Sequence, residues 1–173
     1  NSLGPCNLVN SFSGAWGSTG SQIFGHQIDM GEQFTSAATG RALTLRLPIS
    51  SIAGDSVVSF ELRADANNRV GGSIGASIQF LVSDHGGFHG TPLQFVDVSE
   101  GGWNLVAGQR YWIVVRGQPD AIVTIWQNRL GQNGRIVTYG DGFISGYDAA
   151  SPRAAMAIEV GIPTGCAPPN ITA

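Results

Sequence analysis

A few short stretches of this chain hold the residue types from which chemistry is made. Asp84-His85-Gly86-Gly87-Phe88-His89 gathers two imidazoles and a carboxylate within six residues. Two histidines four apart bind metal most readily on a helix, where they share a face. The intervening glycines disfavour a helix, so Asp84, His85 and His89 also read simply as a solvated loop. Asp65-Ala66-Asn67-Asn68 offers oxygen ligands of the kind Ca2+ prefers. It lacks the spacing of a dedicated calcium loop, and an Asx-type turn accounts for Asp65, Asn67 and Asn68 without a metal. No cofactor is expected, with a structural calcium as the alternative. Gly71-Gly72-Ser73-Ile74-Gly75 matches G-x-S-x-G. A nucleophile elbow needs a helix after its turn, and strand patterns flank this match on both sides, so it reads as a glycine-rich loop.

Aromatic residues suggest a different chemistry. Tyr139-Gly140-Asp141-Gly142-Phe143 and then Tyr147-Asp148 set three aromatics and two acids in a stretch that reads as a flexible loop. Exposed rings stack on sugar faces, and a nearby Asp accepts sugar hydroxyl hydrogens. Trp103, after Gly101-Gly102, is a second candidate of this kind. The competing reading is that these rings pack a satellite core, since aromatics are usually buried. The twelve acids are scattered singly, so no carboxylate pair for glycoside hydrolysis stands out.

Composition narrows the classes. The chain has 173 residues, the length of one domain. Charged residues are 12% and the net charge is −3, while 42% of residues are hydrophobic. That balance disfavours disorder. With a pI near 5.4 and no basic patch, nucleic acid is not an expected partner. No apolar run is long enough to span a membrane as a helix. All nine basic residues are arginine, so lysine Schiff-base and P-loop chemistry are excluded. A chain beginning at Asn1 reads as a mature form whose signal peptide is gone. In a secreted chain the pair Cys6 and Cys166 is expected to form a disulfide tying the terminal segments together. Asn170-Ile171-Thr172 matches an N-glycosylation sequon.

The elements that must position these residues are strands. Leu43, Leu45, Leu47 and Ile49 alternate to one face, as do Val58, Phe60, Leu62 and Ala64, then Ile78, Phe80 and Val82, and later Met156, Ile158 and Val160. Residues 93–98, 110–116, 121–127 and 135–139 complete the series. Tyr111-Trp112-Ile113-Val114-Val115 is apolar on both faces and belongs in the centre of a covered sheet. The turn-like Arg116–Asp120 segment predicts a hairpin with the following strand. Helical periodicity is absent over any three turns. The expected fold is all-β: a single-domain antiparallel β-sandwich over residues 1–173.

Three segments carry a resemblance. They are Gln33-Phe34-Thr35 before the Leu43–Ile49 strand, Leu62-Arg63-Ala64-Asp65-Ala66-Asn67-Asn68 before a Gly-Gly turn, and Leu105–Val115 with its L-x-A-G-x-x-Y-W pattern. Together they resemble the choice-of-anchor domains of bacterial and archaeal surface proteins. That resemblance implies a jelly-roll-like sandwich, a secreted or cell-surface location, no catalytic set, and a structural Ca2+ as a recurrent feature of such folds. The leading expectation is a non-catalytic extracellular structural or adhesive protein, self-associating into a filament or surface layer. A carbohydrate-binding module comes second, and a hydrolase third.

Overall fold

The computed structural model describes residues 6–10, 16–24, 28–37, 39–51, 54–82, 93–118, 122–128, 133–140, 143–152 and 157–161. Strands run β1 (Cys6–Asn10), β2 (Trp16–Phe24), β3 (Ile28–Thr35), β4 (Gly40–Ser51), β5 (Ser56–Asp65), β6 (Val70–Val82), β7 (Leu93–Asp97), β8 (Asn104–Leu105), β9 (Arg110–Gly117), β10 (Ile122–Asn128), β11 (Asn133–Gly140), β12 (Phe143–Pro152) and β13 (Ala157–Gly161). One 3-10 turn, Ser99–Gly101, interrupts them, and no α-helix occurs among the described residues. Hence no described helix is long and apolar enough to cross a membrane.

The strands make two antiparallel sheets, the β-sandwich that the alternation predicts. The first sheet has the order β6-β5-β9-β3-β11-β12. In the second, β4 is central, with β13 and then β1 on one side and β7 and β8 on the other. The last residues of β4 pair with β10, and β10 pairs with β2. Phe24↔Ile28 then leads from β2 into the first sheet.

Two sequence expectations are corrected here. The expected hairpin between residues 110–116 and 121–127 does not form. Both edges of β9 are taken, by β3 and β5, and β10 pairs with β2 and β4 instead. The Leu43 alternation also breaks. The β4–β13 register slips so that Glu159 meets Thr44 while Val160 meets Ala42. This bulge turns Ala42 into the core and leaves Leu43 half-exposed. The Leu43 carbonyl accepts the Val98 N–H at 3.0 Å.

The main core lies between the sheets. Leu45, Leu47 and Ile49 of β4 meet Phe60 and Leu62 of β5, Tyr111, Ile113 and Val115 of β9, and Ile158 of β13. Each such side chain contributes roughly 1.5–3 kcal/mol by leaving water. The first sheet has a second apolar cluster on its other face, built from Trp112, Val114, Val137 and Tyr139, with Val70 and Tyr147 at its rim. Strand β9 is thus buried on both sides, as its sequence requires.

Gly31 lets that second cluster close. It lies in register between Val137 of β11 and Val114 of β9. A Cβ there would stand 2.7 Å from Val137 Cγ1 and 3.1 Å from Val114 Cγ2. Gly31→Ala is expected to cost about 1–3 kcal/mol through overpacking, read as a lower urea midpoint at unchanged m-value.

Candidate functional site

The chemistry-bearing residues converge on the outer face of β5 and β9. The site begins at the β5–β6 turn. Asn67 and Asn68 have φ of 58° and 65°, and Ala66 and Arg69 exchange backbone hydrogen bonds of 2.8 and 3.2 Å across them. Two successive left-handed residues make the hairpin turn whose twist matches its strands, and Asn tolerates that conformation. The turn is therefore at Asn67-Asn68. Gly71 and Gly72, expected as a turn, lie within β6, and so does Ser73 of the G-x-S-x-G match.

Asp65 ends β5 and is the hub of this region. Its side chain is only 6% exposed. Oδ1 accepts from Gln33 Nε2 and from the Trp112 indole Nε1, both at 2.8 Å. Oδ2 accepts the Asn68 backbone N–H at 3.2 Å and faces Arg110 Nε at 3.4 Å. Asn68 Oδ1 is engaged too, by Arg110 at 2.7 Å and Gln33 at 3.1 Å. Burial pushes the Asp65 carboxyl up, but the bonds from Gln33, Asn68 and Trp112 and the Arg110 charge outweigh it and hold it below the usual carboxylate range. The oxygens proposed for calcium thus accept N–H donors, which hold the turn against the sheet.

One step along β5, Glu61 pairs with Arg63 and with Arg116 of β9, each at 3.2 Å. The Arg116 guanidinium lies over the Tyr139 ring, 4.5 Å from its centroid. Tyr139 is 4% exposed. Burial raises its phenol above the ordinary value, against the lowering effect of Arg116 and Arg63. Tyr147 reaches across from β12. It meets Trp112 edge-on at 5.7 Å, its hydroxyl oxygen accepts the Val70 N–H at 3.1 Å, and Arg69 sits 5.4 Å from its ring.

The sugar-stacking candidates separate. Trp103 is fully buried in the main core and donates its indole N–H to the Ala76 carbonyl at 2.8 Å. Of the two readings of this ring, packing is the one the structure bears out, and no face is left for a sugar. Tyr139 is likewise buried, in the cluster of Trp112, Val114 and Val137 and under Arg116. Tyr147 is half-buried, and Asp148 beside it is exposed. Of the stretch from Tyr139 to Asp148 that was expected to be a flexible loop, residues 143–148 lie in strand β12. The side chains of Cys6 and Phe143 lie outside the described residues, as do Asp84, His85, His89, Asp141, Cys166 and Asn170 altogether. Among the described residues no group of three metal-ligating side chains forms.

Sequence reasoning missed Gln33, Arg110, Trp112 and Arg116. The available signal was the outward alternation of Glu61, Arg63 and Asp65 on one strand and of Arg110, Trp112 and Arg116 on another. It also missed Glu32, a carboxylate that is buried on β3 and engaged with a partner. Nothing in the alternating pattern of β3 marks it.

Two measurements check this geometry. Asp65→Asn is expected to lower stability by about 1.5–3 kcal/mol near neutral pH, the worth of hydrogen bonds to a charged group. Because the folded Asp65 pKa lies below the unfolded value of about 3.9, the stabilisation is fully present above that value. It is lost as pH falls through the folded pKa, so variant and parent should converge in acid denaturation series. Trp103→Ala is expected to cost about 3–5 kcal/mol, seen as a large drop in melting temperature. No protein-family model and no curated protein matches this sequence.

Proposed function

We propose that this chain is a non-catalytic structural or adhesive protein of the cell exterior, working as a self-associating subunit. The observation that carries this reading is where the polar chemistry is spent. On the outer face of β5 and β9, Glu61, Asp65, Arg63, Arg110, Arg116 and Trp112 are bound to one another across neighbouring strands. Groups of these types poised for catalysis would face a cleft and a substrate. Here they fasten strands and a turn into a stiff body, which suits a load-bearing or scaffolding part.

The extracellular element of the proposal rests on the cysteines and on the resemblance to choice-of-anchor domains. Strand β1 pairs with β13, so Cys6 stands opposite Val160. Cys166 follows Val160 by six residues in sequence, a length of chain that spans up to about 20 Å when extended. A Cys6–Cys166 bridge is within that reach and would stabilise by roughly 4–5 kcal/mol on chain-entropy grounds. The expected result is that the denatured protein shows no reactive thiol until a reductant is added. Two thiols before reduction would remove the bridge from the proposal.

Carbohydrate binding is the second reading, and Tyr147 is the residue that favours it. Its ring is half-buried beside the exposed Arg69 and Asp148. A Tyr147→Ala chain that keeps its fold and loses retention on a glycan array would support this reading over the first. For the first reading, sedimentation velocity over a wide concentration range is the test. Species larger than the monomer, growing with concentration, are expected. A monomer throughout would overturn it.

A further inference from the structure

The edge of the first sheet changes character along its length. Strand β6 ends the strand order and, among the described residues, pairs only with β5. Its middle is blunted. The register slips between Ile74 and Ile78, and Gly75 takes a φ of 68°. The 3-10 turn approaches so closely that a Cβ on Gly75 would stand 1.9 Å from the Gly101 carbonyl oxygen. Trp103 then takes the Ala76 carbonyl. Bulges and covering turns are the usual protection of a sheet edge.

Beyond Ala76 no bulge or covering turn occurs among the described residues. From Ile78↔Phe60 to Val82↔Ser56 the register with β5 is unbroken. The whole of β6, 13 residues, contains no proline and no charged residue, the two other devices that keep edges apart. The side chains are also incomplete in their packing. Ile78 and Phe80 lie against the main core yet stay partly exposed, because the sheet ends beside them. On the other face Leu81 is 53% exposed.

We propose that Ser77–Leu81 pairs antiparallel with the same segment of a second copy of this chain, joining two first sheets into one across a twofold axis. The proposal rests on the self-association reading and names its surface. A twofold contact sets one patch against itself, so the patch must tolerate its own image. A charged edge would place like charges opposite one another; this one places none. Centred on Gln79, the pair sets Ile78 against Phe80 on the core side in both directions. On the outer side Gln79 meets Gln79 and Leu81 meets Ser77. The half-covered apolar side chains are then completed by the partner's, and the edge hydrogen bonds are satisfied.

Two substitutions at one exposed position test this. Gln79→Lys and Gln79→Glu are each expected to keep the parent melting temperature and to lose association at concentrations where the parent associates. An equimolar mixture of the two is expected to regain it, since Lys then faces Glu. Phe95→Lys, on the exposed face of edge strand β7 at a site 59% exposed, is expected to associate as the parent does. If the Gln79 variants associate like the parent, or if mixing restores nothing, the β6 pairing is overturned while self-association stands. If Phe95→Lys alone abolishes association, the interface lies at β7 and the β6 pairing is again overturned. A parent chain that is monomeric at every concentration overturns both.

Discussion

Tyr111 to Val115 are five consecutive buried residues. Successive side chains in a strand enter opposite faces of its sheet, so neither face of β9 can be left to water. That constraint organises its surroundings. One face is covered by the second sheet, which brings β4 and β13 across the main core. The other is covered from within the same sheet, by curling β11 and β12 until Tyr139 and Tyr147 reach over β9. The curl needs a row with a missing side chain, and Gly31 supplies it. The indole of Trp112 is carried into that second cluster with a donor that must be satisfied, and Asp65 satisfies it. The polar face of β5 is thus a consequence of an apolar strand beside it.

Much of the architecture was legible because period-2 alternation reports a half-buried strand directly. Strands β4 and β5 and the strand class of the fold follow from it, while β9 was legible as a short run apolar on both faces. Connectivity did not follow. Arg116 to Asp120 reads as a turn, but a turn between two strands does not say that they pair. Strand β9 already had two partners, so the chain left for β10 in another part of the hydrogen-bonded path. The β4 bulge was hidden for a related reason. Ala42 and Leu43 are both apolar, and a one-residue slip between them leaves the hydrophobic pattern readable in either phase.

The site was legible in pieces. The Asp65–Asn68 stretch was legible as an Asx-type turn, but its left-handed backbone at Asn67 and Asn68 was not, and the glycines after it drew the expected hairpin turn too far along the chain. The meaning of Asp65 depended on Gln33 of β3 and on Arg110 and Trp112 of β9 as well as on nearby Asn68, and no local pattern connects those two strands to the turn. Trp103 misled because glycines before a tryptophan look like a loop tip. Here Gly101 and Gly102 let the chain turn sharply enough to drive the ring inward. Glycine marks where the backbone bends and says nothing about which side of the bend is wet.

The pairing of β13 with β4 also has a consequence in time. Arg46 waits for Ala157 and Ala42 for Val160, so the central strand of the second sheet lacks one neighbour until more than a hundred further residues have been made. Such long-range pairing makes closure slow, because the entropy of the intervening chain must be overcome before the contact rewards it. β1 stands in the same position, since its partner is β13. Closure of the second sheet therefore waits for residues 157–161, and until they are made the open edges of β1 and β4 must be kept from pairing with other chains.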